Sequence, residues 1–159
     1  MVFPLRSTVA FVATFWLALA LGFAPVAYCG PESELLERVN AIRGAEKLIP
    51  LAPSDELAAV ALAHARDMAR QGYFAHLDRD GRSPLDRVNA AGVSGFALLA
   101  ENLGTSNASG ERLSLIVSAW LDSHDHRENL LNPAFNTSGI GIVRTPEGHT
   151  IAVQLYASF

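Results

Sequence analysis

Apolar residues recur at steps of three and four positions over much of the chain, which is the spacing of helices with one buried face. This pattern predicts four helices, over residues 32–47, 55–71, 83–91 and 111–123. Ser33 and Ser54 stand where the first two helices need an N-cap, and Gly72 stands where the second must end. The second helix is rich in alanine, so a neighbour can approach it closely. Its His64 faces inward, where a histidine is more often a hydrogen-bonded core residue than a ligand.

The pattern changes after Pro133, which stops the last helical run. Residues 140–145 alternate in hydrophobicity, and residues 150–156 are β-branched and aromatic. The turn-forming sequence Pro146-Glu147-Gly148 separates these two runs. We therefore predict a β-hairpin at the end of the chain. Helices followed by adjacent strands indicate an α+β fold with a small antiparallel sheet.

Residues 1–29 differ from the rest of the chain because Arg6 is their only charged residue. Residues 9–27 form an uncharged run rich in Ala, Leu, Phe and Val, which is typical of a secretory signal peptide or an uncleaved anchor. Small residues near its end favour cleavage before Gly30. We therefore predict a signal peptide over residues 1–29 and a mature domain over residues 30–159. The domain is expected to be extracellular or periplasmic, with no stable membrane span after cleavage.

Cys29 is the sole cysteine of the chain and lies at the predicted cleavage site. Lipid attachment to its thiol is the alternative to plain secretion, although Tyr28 precedes it where a lipid-attachment motif needs a small residue. Cleavage after Cys29 leaves a domain without cysteine, which excludes disulfides and thiolate metal sites. The formal net charge of −4 provides no electrostatic footprint for nucleic acid or anionic lipid.

Residues 120–131 carry two imidazoles, three carboxylates and a guanidinium beside apolar residues. Charged groups in such a setting must be paired, solvated or used in a site. We interpret this stretch as the end of a helix that carries half of a site, the other half being His76 and the Glu101-Asn102 pair. His124 and His126 diverge by about 200° on a helix, so we expect only His126 to enter the site. The alternative is a helix end where imidazole satisfies terminal carbonyls.

His76, Glu101 and His126 allow two kinds of chemistry. Neutral imidazoles are ligands for zinc or a similar divalent metal, and a glutamate can complete the coordination or hold a ligand's second nitrogen. Without a metal, the same groups could exchange protons near neutral pH. The sequence contains no HExxH, nucleophile-elbow or Walker motif. The spacing of these three residues therefore does not distinguish metal binding from proton exchange.

Seven short motifs follow one another in an order that resembles a known family. They are Leu57-Ala58-x-x-Ala61-x-x-His64-Ala65-Arg66-Asp67-Met68-Ala69, Phe74-Ala75-His76, Asp80-Gly81, Glu101-Asn102-Leu103, Trp120-Leu121-x-Ser123-x-x-His126-Arg127-x-Asn129-Leu130-Leu131, Gly139-Ile140-Gly141 and Val153-Gln154. The series resembles the bacterial SCP-like extracellular proteins of the CAP superfamily, named for cysteine-rich secretory proteins, antigen five and plant pathogenesis-related one. The resemblance implies a three-layered α-β-α sandwich with a central cleft.

The resemblance also implies which residues form that cleft. Those matching the family's first histidine, first glutamate and second histidine are His76, Glu101 and His126. The second acidic position falls at Ser123, so Asp122 or Asp125 would have to substitute for the missing carboxylate. Asn102 adjoins Glu101 and is placed in the same cleft.

The first function that the resemblance implies is a secreted binding module. Its cleft would hold a divalent metal, with zinc as the first candidate, and a small apolar or lipid ligand or a cell-envelope component. One alternative is a metal-dependent hydrolase with His76 and His126 as ligands and Glu101 as the base for a bound water. Another is a partner-binding surface protein with a vestigial cleft. The resemblance itself assigns no reaction.

Overall fold

The structure, a computed structural model, describes residues 30–159. The signal peptide predicted over residues 1–29, with Cys29 at its end, lies outside the described residues. Within residues 30–159, no helix combines the length and the apolarity needed to cross a bilayer.

Five helices and four strands make up the described chain. The helices are α1 (Pro31–Ala45), α2 (Asp55–Gln71), α3 (Pro84–Ala90), α4 (Arg112–Asp122) and α5 (His124–Leu131). The strands are β1 (Ala52–Pro53), β2 (Leu98–Ser106), β3 (Thr137–Arg144) and β4 (Thr150–Ser158).

The four strands form one sheet in the order β1-β3-β4-β2. β4 pairs antiparallel with both β3 and β2, so the predicted C-terminal hairpin is confirmed. The two residues of β1 pair parallel with β3, which makes the sheet mixed rather than purely antiparallel. β2 lies at the opposite edge, where one side of its backbone is open to other elements.

Helices cover both faces of the sheet, which confirms the predicted α-β-α layering. Because side chains alternate along a strand, β4 contributes to two separate cores. Tyr156 and Ala152 pack with α1, α4 and α5 on one face. Leu155 and Val153 pack with α2 and α3 on the other face. The central strand therefore joins the two cores of the molecule.

The ends of the first two helices test three predictions. Ser54 caps α2 by accepting a hydrogen bond from the Leu57 amide, and Gly72 ends it in the left-handed conformation at φ 65°, so both predictions are confirmed. The predicted N-cap Ser33 is wrong, because α1 begins after Gly30. Pro31 fits the first helical turn because it needs no amide partner there, and the Ser33 hydroxyl instead donates to the Gly30 carbonyl.

α2 and β3 lie unusually close together. A Cβ atom added at Gly141 would overlap the backbone of Leu62, and one added at Gly139 would overlap the backbone of Ala58. The two glycines share one face of β3, where the alanine-rich face of α2 lies against them. This close approach places α2, and the loop that follows it, at a fixed height over the sheet.

Replacing Gly141 with alanine tests this constraint. Backbone atoms of α2 cannot move aside as a flexible side chain would, so Gly141→Ala should lower the free energy of unfolding by about 1–3 kcal/mol. The matched control is Gly44→Ala in α1, where an added Cβ meets nothing within 4 Å. That variant should be stabilised by about 0.5–1 kcal/mol. Urea denaturation measures both values, and equal effects of the two substitutions would contradict the close packing.

Candidate functional site

The buried carboxylate of Glu101 organises one side of the candidate site. Only 2% of its side chain is exposed. Its Oε1 accepts a hydrogen bond from His76 Nδ1 at 2.9 Å, and its Oε2 accepts one from Arg87 Nη2 at 2.7 Å. A buried charge is tolerated when an opposite charge and hydrogen bonds compensate it. Both oxygens of Glu101 therefore have a partner.

The partnership with Glu101 determines which nitrogen of His76 is available. A carboxylate ion-paired with arginine only accepts hydrogen bonds, so His76 Nδ1 must carry the hydrogen. In the neutral ring, Nε2 then keeps its lone pair. The side chain is 49% exposed, so His76 offers one free imidazole nitrogen at the surface.

Two elements hold the segment that carries His76. The His64 ring on α2 bonds the Ala75 carbonyl through Nε2 at 2.9 Å, and Arg87 Nη1 on α3 donates to the His76 carbonyl at 2.8 Å. His64 is buried, and burial together with the charge of Arg87 lowers its pKa. A neutral His64 agrees with its interpretation as a hydrogen-bonded core residue. It acts on His76 through the backbone.

His126 lies on a short helix of its own. The expectation that residues 120–131 form the end of one helix is wrong, because Ser123 adopts an extended conformation (φ −91°, ψ 127°) and separates α4 from α5. His126 is half-buried on α5, whereas His124 is exposed and lies 3.2 Å from Glu128. Burial and the charge of His76 lower the pKa of His126. The two site histidines are therefore within electrostatic reach of each other.

Asn102 attaches α5 to the sheet. It is fully buried, and its Nδ2 donates to the His126 carbonyl at 2.9 Å and to the Tyr156 hydroxyl at 3.1 Å. Its Oδ1 accepts from Asn129 Nδ2 at 2.9 Å. Asn102 was placed in the cleft from the sequence, but the structure places it beneath His126, where it positions the backbone.

A series of buried hydrogen bonds continues from Asn102 across the sheet. The Tyr156 hydroxyl donates to Gln154 Oε1, and Gln154 Nε2 donates to the Ser138 hydroxyl. Burial raises the pKa of Tyr156, which keeps it a neutral donor. Each of these side chains has a partner, so the series connects α5 rigidly to β3 by way of β2 and β4.

Arg43 holds α5 from the opposite end, and the sequence reasoning missed it. Its fully buried guanidinium donates to four backbone carbonyls, those of Ile49, Leu130, Asn132 and Phe135. Two of these carbonyls lie at the C-terminus of α5, where a cation is favoured. Burial lowers the pKa of Arg43. A sequence signal was present, because Arg43 continues the buried stripe of Leu35 and Val39 at steps of four.

The remaining predicted site residues lie at the margin. Ser123 is the junction between α4 and α5, and Asp125 is exposed in the first turn of α5. The charge of Asp125 raises the pKa of His126, but burial and the charge of His76 lower that pKa by more. Asp122 is also exposed. Within residues 30–159, no three His, Cys, Asp or Glu side chains are grouped so as to hold a metal ion. The site therefore consists of two imidazoles and one carboxylate whose oxygens are already paired.

Known protein sequences resemble this chain. The sequence profile of the cysteine-rich secretory protein family, CAP, matches residues 36–156. YkwD of Bacillus subtilis is 33% identical over 122 residues, which are 77% of this chain and 46% of YkwD.

Two solved structures share the fold. An extracellular protein containing an SCP domain from Bacillus anthracis superposes with a TM-score of 0.69 at 28% identity, over 80% of this chain and 40% of that one. An outer surface protein from Borrelia burgdorferi has a TM-score of 0.70 at 28% identity, over 79% of this chain and 90% of that one. The chain thus spans less than half the length of YkwD and of the Bacillus anthracis protein.

Removing the charge of Glu101 tests whether its buried carboxylate and Arg87 compensate each other. Glu101→Gln keeps the shape of the side chain but leaves Arg87 buried without a counter-charge, which should cost about 3–5 kcal/mol of unfolding free energy. The matched control is Glu34→Gln, which removes the half-exposed ion pair with Arg38. That change should cost less than about 0.5 kcal/mol. Chemical denaturation of both variants at neutral pH measures the difference, and similar losses would show that Glu101 is not a buried, paired charge.

Proposed function

Because the chain belongs to the cysteine-rich secretory protein family, we propose that it is a binding module whose cleft holds a divalent metal ion, with zinc as the first candidate. The family and the α-β-α fold predicted from the sequence motifs are both confirmed. His76 and His126 are the proposed metal ligands, and Glu101 is the proposed support of His76.

The arrangement of His76 is the observation that supports this proposal most strongly. Metal-binding histidines usually donate their second ring N–H to a carboxylate, which fixes the ring and raises its basicity as a ligand. His76 makes this contact with Glu101 through Nδ1, and its Nε2 is the nitrogen left for a metal. Zinc is a natural partner for imidazole nitrogen.

His126 has the protonation state that a metal ligand requires. Its lowered pKa keeps the imidazole neutral near pH 7, and only the neutral ring offers a lone pair to a metal. The hydrogen bond from Asn102 to its backbone carbonyl and the contacts of Arg43 hold α5 in place. Two protein ligands would leave coordination positions for water or for a ligand group.

The same geometry favours binding over the hydrolase alternative. A general base must lie within hydrogen-bond reach of the attacking water. Both oxygens of Glu101 are hydrogen-bonded, one to His76 and one to Arg87. Only 2% of the Glu101 side chain is exposed, so an attacking water would have little access to the lone pairs that remain on these oxygens.

The proposed ligand of the cleft has an apolar part. Phe74 and Leu77, on either side of His76 in the sequence, have about half of their surface exposed. Large apolar side chains beside a polar centre are typical of a recognition surface. A small apolar or lipid molecule, or a component of the cell envelope, fits this combination.

We further propose that the domain acts outside the cytoplasm. The uncharged run over residues 9–27 supports export by a signal peptide. The relatives named above include an extracellular protein and an outer surface protein. Lipid attachment at Cys29 would instead tether the same domain to the envelope.

Calorimetric titration of the purified protein with zinc tests the proposed ligands. His76→Ala and His126→Ala should each abolish measurable binding, because a single imidazole holds the ion far more weakly. The matched control is His124→Ala, which removes the exposed histidine two positions before His126 and should leave the affinity unchanged. Glu101→Gln should weaken binding by about 10–100-fold through loss of the support of His76.

Two outcomes would contradict the proposal. Zinc binding that survives in both His76→Ala and His126→Ala would place the ion elsewhere. The absence of binding by the unaltered protein would exclude zinc as the metal of this cleft and direct the search to organic ligands.

A further inference from the structure

The outer edge of β2 carries backbone groups that the sheet itself does not use. β2 pairs with β4 alone, so only one side of its backbone belongs to the sheet. In an antiparallel pair, the N–H and C=O of one residue point to the neighbouring strand and those of the next residue point away from it. The register of the strands therefore shows which residues of β2 point outward.

The β3–β4 turn fixes this direction. The Thr145 amide donates to the His149 carbonyl at 2.8 Å, so odd-numbered residues along this strand direct their backbone groups to β3 and even-numbered residues direct theirs to β2. Each β2 residue pairs with a β4 residue that is odd or even as it is itself. The odd-numbered residues Leu99, Glu101 and Leu103 therefore direct their N–H and C=O groups away from the sheet.

α4 covers the later part of this edge and leaves the earlier part open. Trp120 Nε1 donates to the Leu103 carbonyl at 2.8 Å, which agrees with the outward direction of that carbonyl. No residue within 30–159 forms a hydrogen bond with the outward backbone groups of Leu99 or Glu101. Two N–H groups and two carbonyls thus stand free along about 7 Å of strand.

These backbone groups are accessible. Leu99 is partly exposed. Only 2% of the Glu101 side chain is exposed but 6% of the whole residue is, so the accessible surface of Glu101 belongs mainly to its backbone. Both residues line a groove of about 330 Å³ between β2 and the N-terminus of α3. Leu85 and Leu98 line the same groove and have almost half of their surface exposed.

The open edge lacks the usual protection of an edge strand. Proteins commonly guard such edges with charged residues or prolines. Residues 96–100 contain neither, and the charge of Glu101 is buried and paired with Arg87. Alternating free donors and acceptors beside apolar side chains match an added strand, whose backbone completes the ladder and whose side chains enter the adjacent groove. A lipid chain would leave all four backbone groups unpaired.

We propose that this edge binds an extended peptide segment of another protein, which extends the sheet beside residues 98–101. Apolar side chains of the segment would contact Leu85 and Leu98. A single extended segment fits the short opening, whereas a second copy of the domain would bring the helices that flank its own β2 to the same place. The site needs neither His76 nor His126, so it is independent of the proposed metal.

A capped six-residue peptide of alternating valine and threonine tests the proposal. Titrated into the ¹⁵N-labelled protein, it should slow hydrogen exchange at the Leu99 and Glu101 amides, because these N–H groups gain carbonyl partners. The amides of Ala100 and Asn102 face β4 and should change little. Unaltered exchange at Leu99 and Glu101 with millimolar peptide would overturn the proposal.

Methylation of the peptide backbone separates strand addition from apolar contact alone. Methyl groups on every second nitrogen remove the donors along one side of the peptide and keep all its side chains. One of the two alternating patterns should abolish binding, and the other should preserve it, because only one side of an added strand faces β2. Equal effects of the two patterns would contradict strand addition.

Substitutions at the edge test the location. Leu99→Pro removes one outward N–H, and proline is tolerated in an edge strand when this group faces solvent. It should weaken peptide binding by roughly 10-fold, as expected for one lost hydrogen bond. Leu85→Ala should also weaken it, whereas the matched control Leu115→Ala, at a similarly exposed leucine of α4 outside the groove, should leave it unchanged.

Two further outcomes would contradict the proposal. Unchanged peptide affinity in a folded Leu99→Pro variant and in Leu85→Ala would place the peptide elsewhere. Dimerisation in sedimentation experiments that Leu99→Pro abolishes, without any binding of the peptide, would make a second copy the occupant of the edge. Zinc affinity should be the same in Leu85→Ala as in the unaltered protein, so a failure here is distinguishable from a failure of the metal proposal.

Discussion

The buried carboxylate of Glu101 is the constraint on which the arrangement of the site depends. An unpaired charge in that position would cost several kcal/mol, so the fold must bring partners to it. Arg87 reaches it from α3, and His76 reaches it from the loop after α2. Satisfying one buried charge thus fixes three separate parts of the chain, and it leaves His76 with a defined free nitrogen.

The adjacent residues Glu101 and Asn102 contact different helices on the two faces of the sheet. Successive side chains of a strand point to opposite faces. Glu101 therefore faces α3 and the His76 loop, whereas Asn102 faces α5 and bonds the His126 carbonyl. β2 lies at the edge of the sheet, so groups from both helical layers meet around it. A two-residue motif in this way contacts the segments of two histidines that are far apart in the sequence but within electrostatic reach of each other.

Much of the helical structure was predictable because it follows local periodicity and capping. The predicted span of α2 is the observed one, and its caps Ser54 and Gly72 are as expected. The break at Ser123 was not predictable from periodicity. Most residues of α5 are polar and only Leu130 is buried, so this helix shows no hydrophobic stripe of its own. β1 has only two residues, and its pairing with β3 is long-range, so no local pattern signals it. The residues of β2 change from exposed at Leu98 to buried at residues 101–104. The strand therefore shows no regular alternation of buried and exposed positions.

The candidate site was predictable in its members but not in their roles. His76, Glu101 and His126 came from their ionisable chemistry beside apolar neighbours and from the family resemblance. The ion pair of Glu101 with Arg87 and the carbonyl contacts of Arg43 join residues far apart in the chain, so spacing could not reveal them. These contacts show that both oxygens of Glu101 are paired, one with His76 and one with Arg87. The hydrogen bonds of Asn102 likewise show that it positions α5 from below the cleft.

The tautomer of His76 tests this account most directly. Long-range ¹H–¹⁵N correlation spectra of the imidazole rings, recorded where His76 is neutral, report which nitrogen carries the hydrogen. The account predicts a protonated Nδ1 and an unprotonated Nε2, because Nδ1 donates to Glu101. A predominant Nε2–H tautomer would contradict it, since Glu101 would then not accept a hydrogen bond from His76 and the nitrogen proposed to bind a metal would carry a proton.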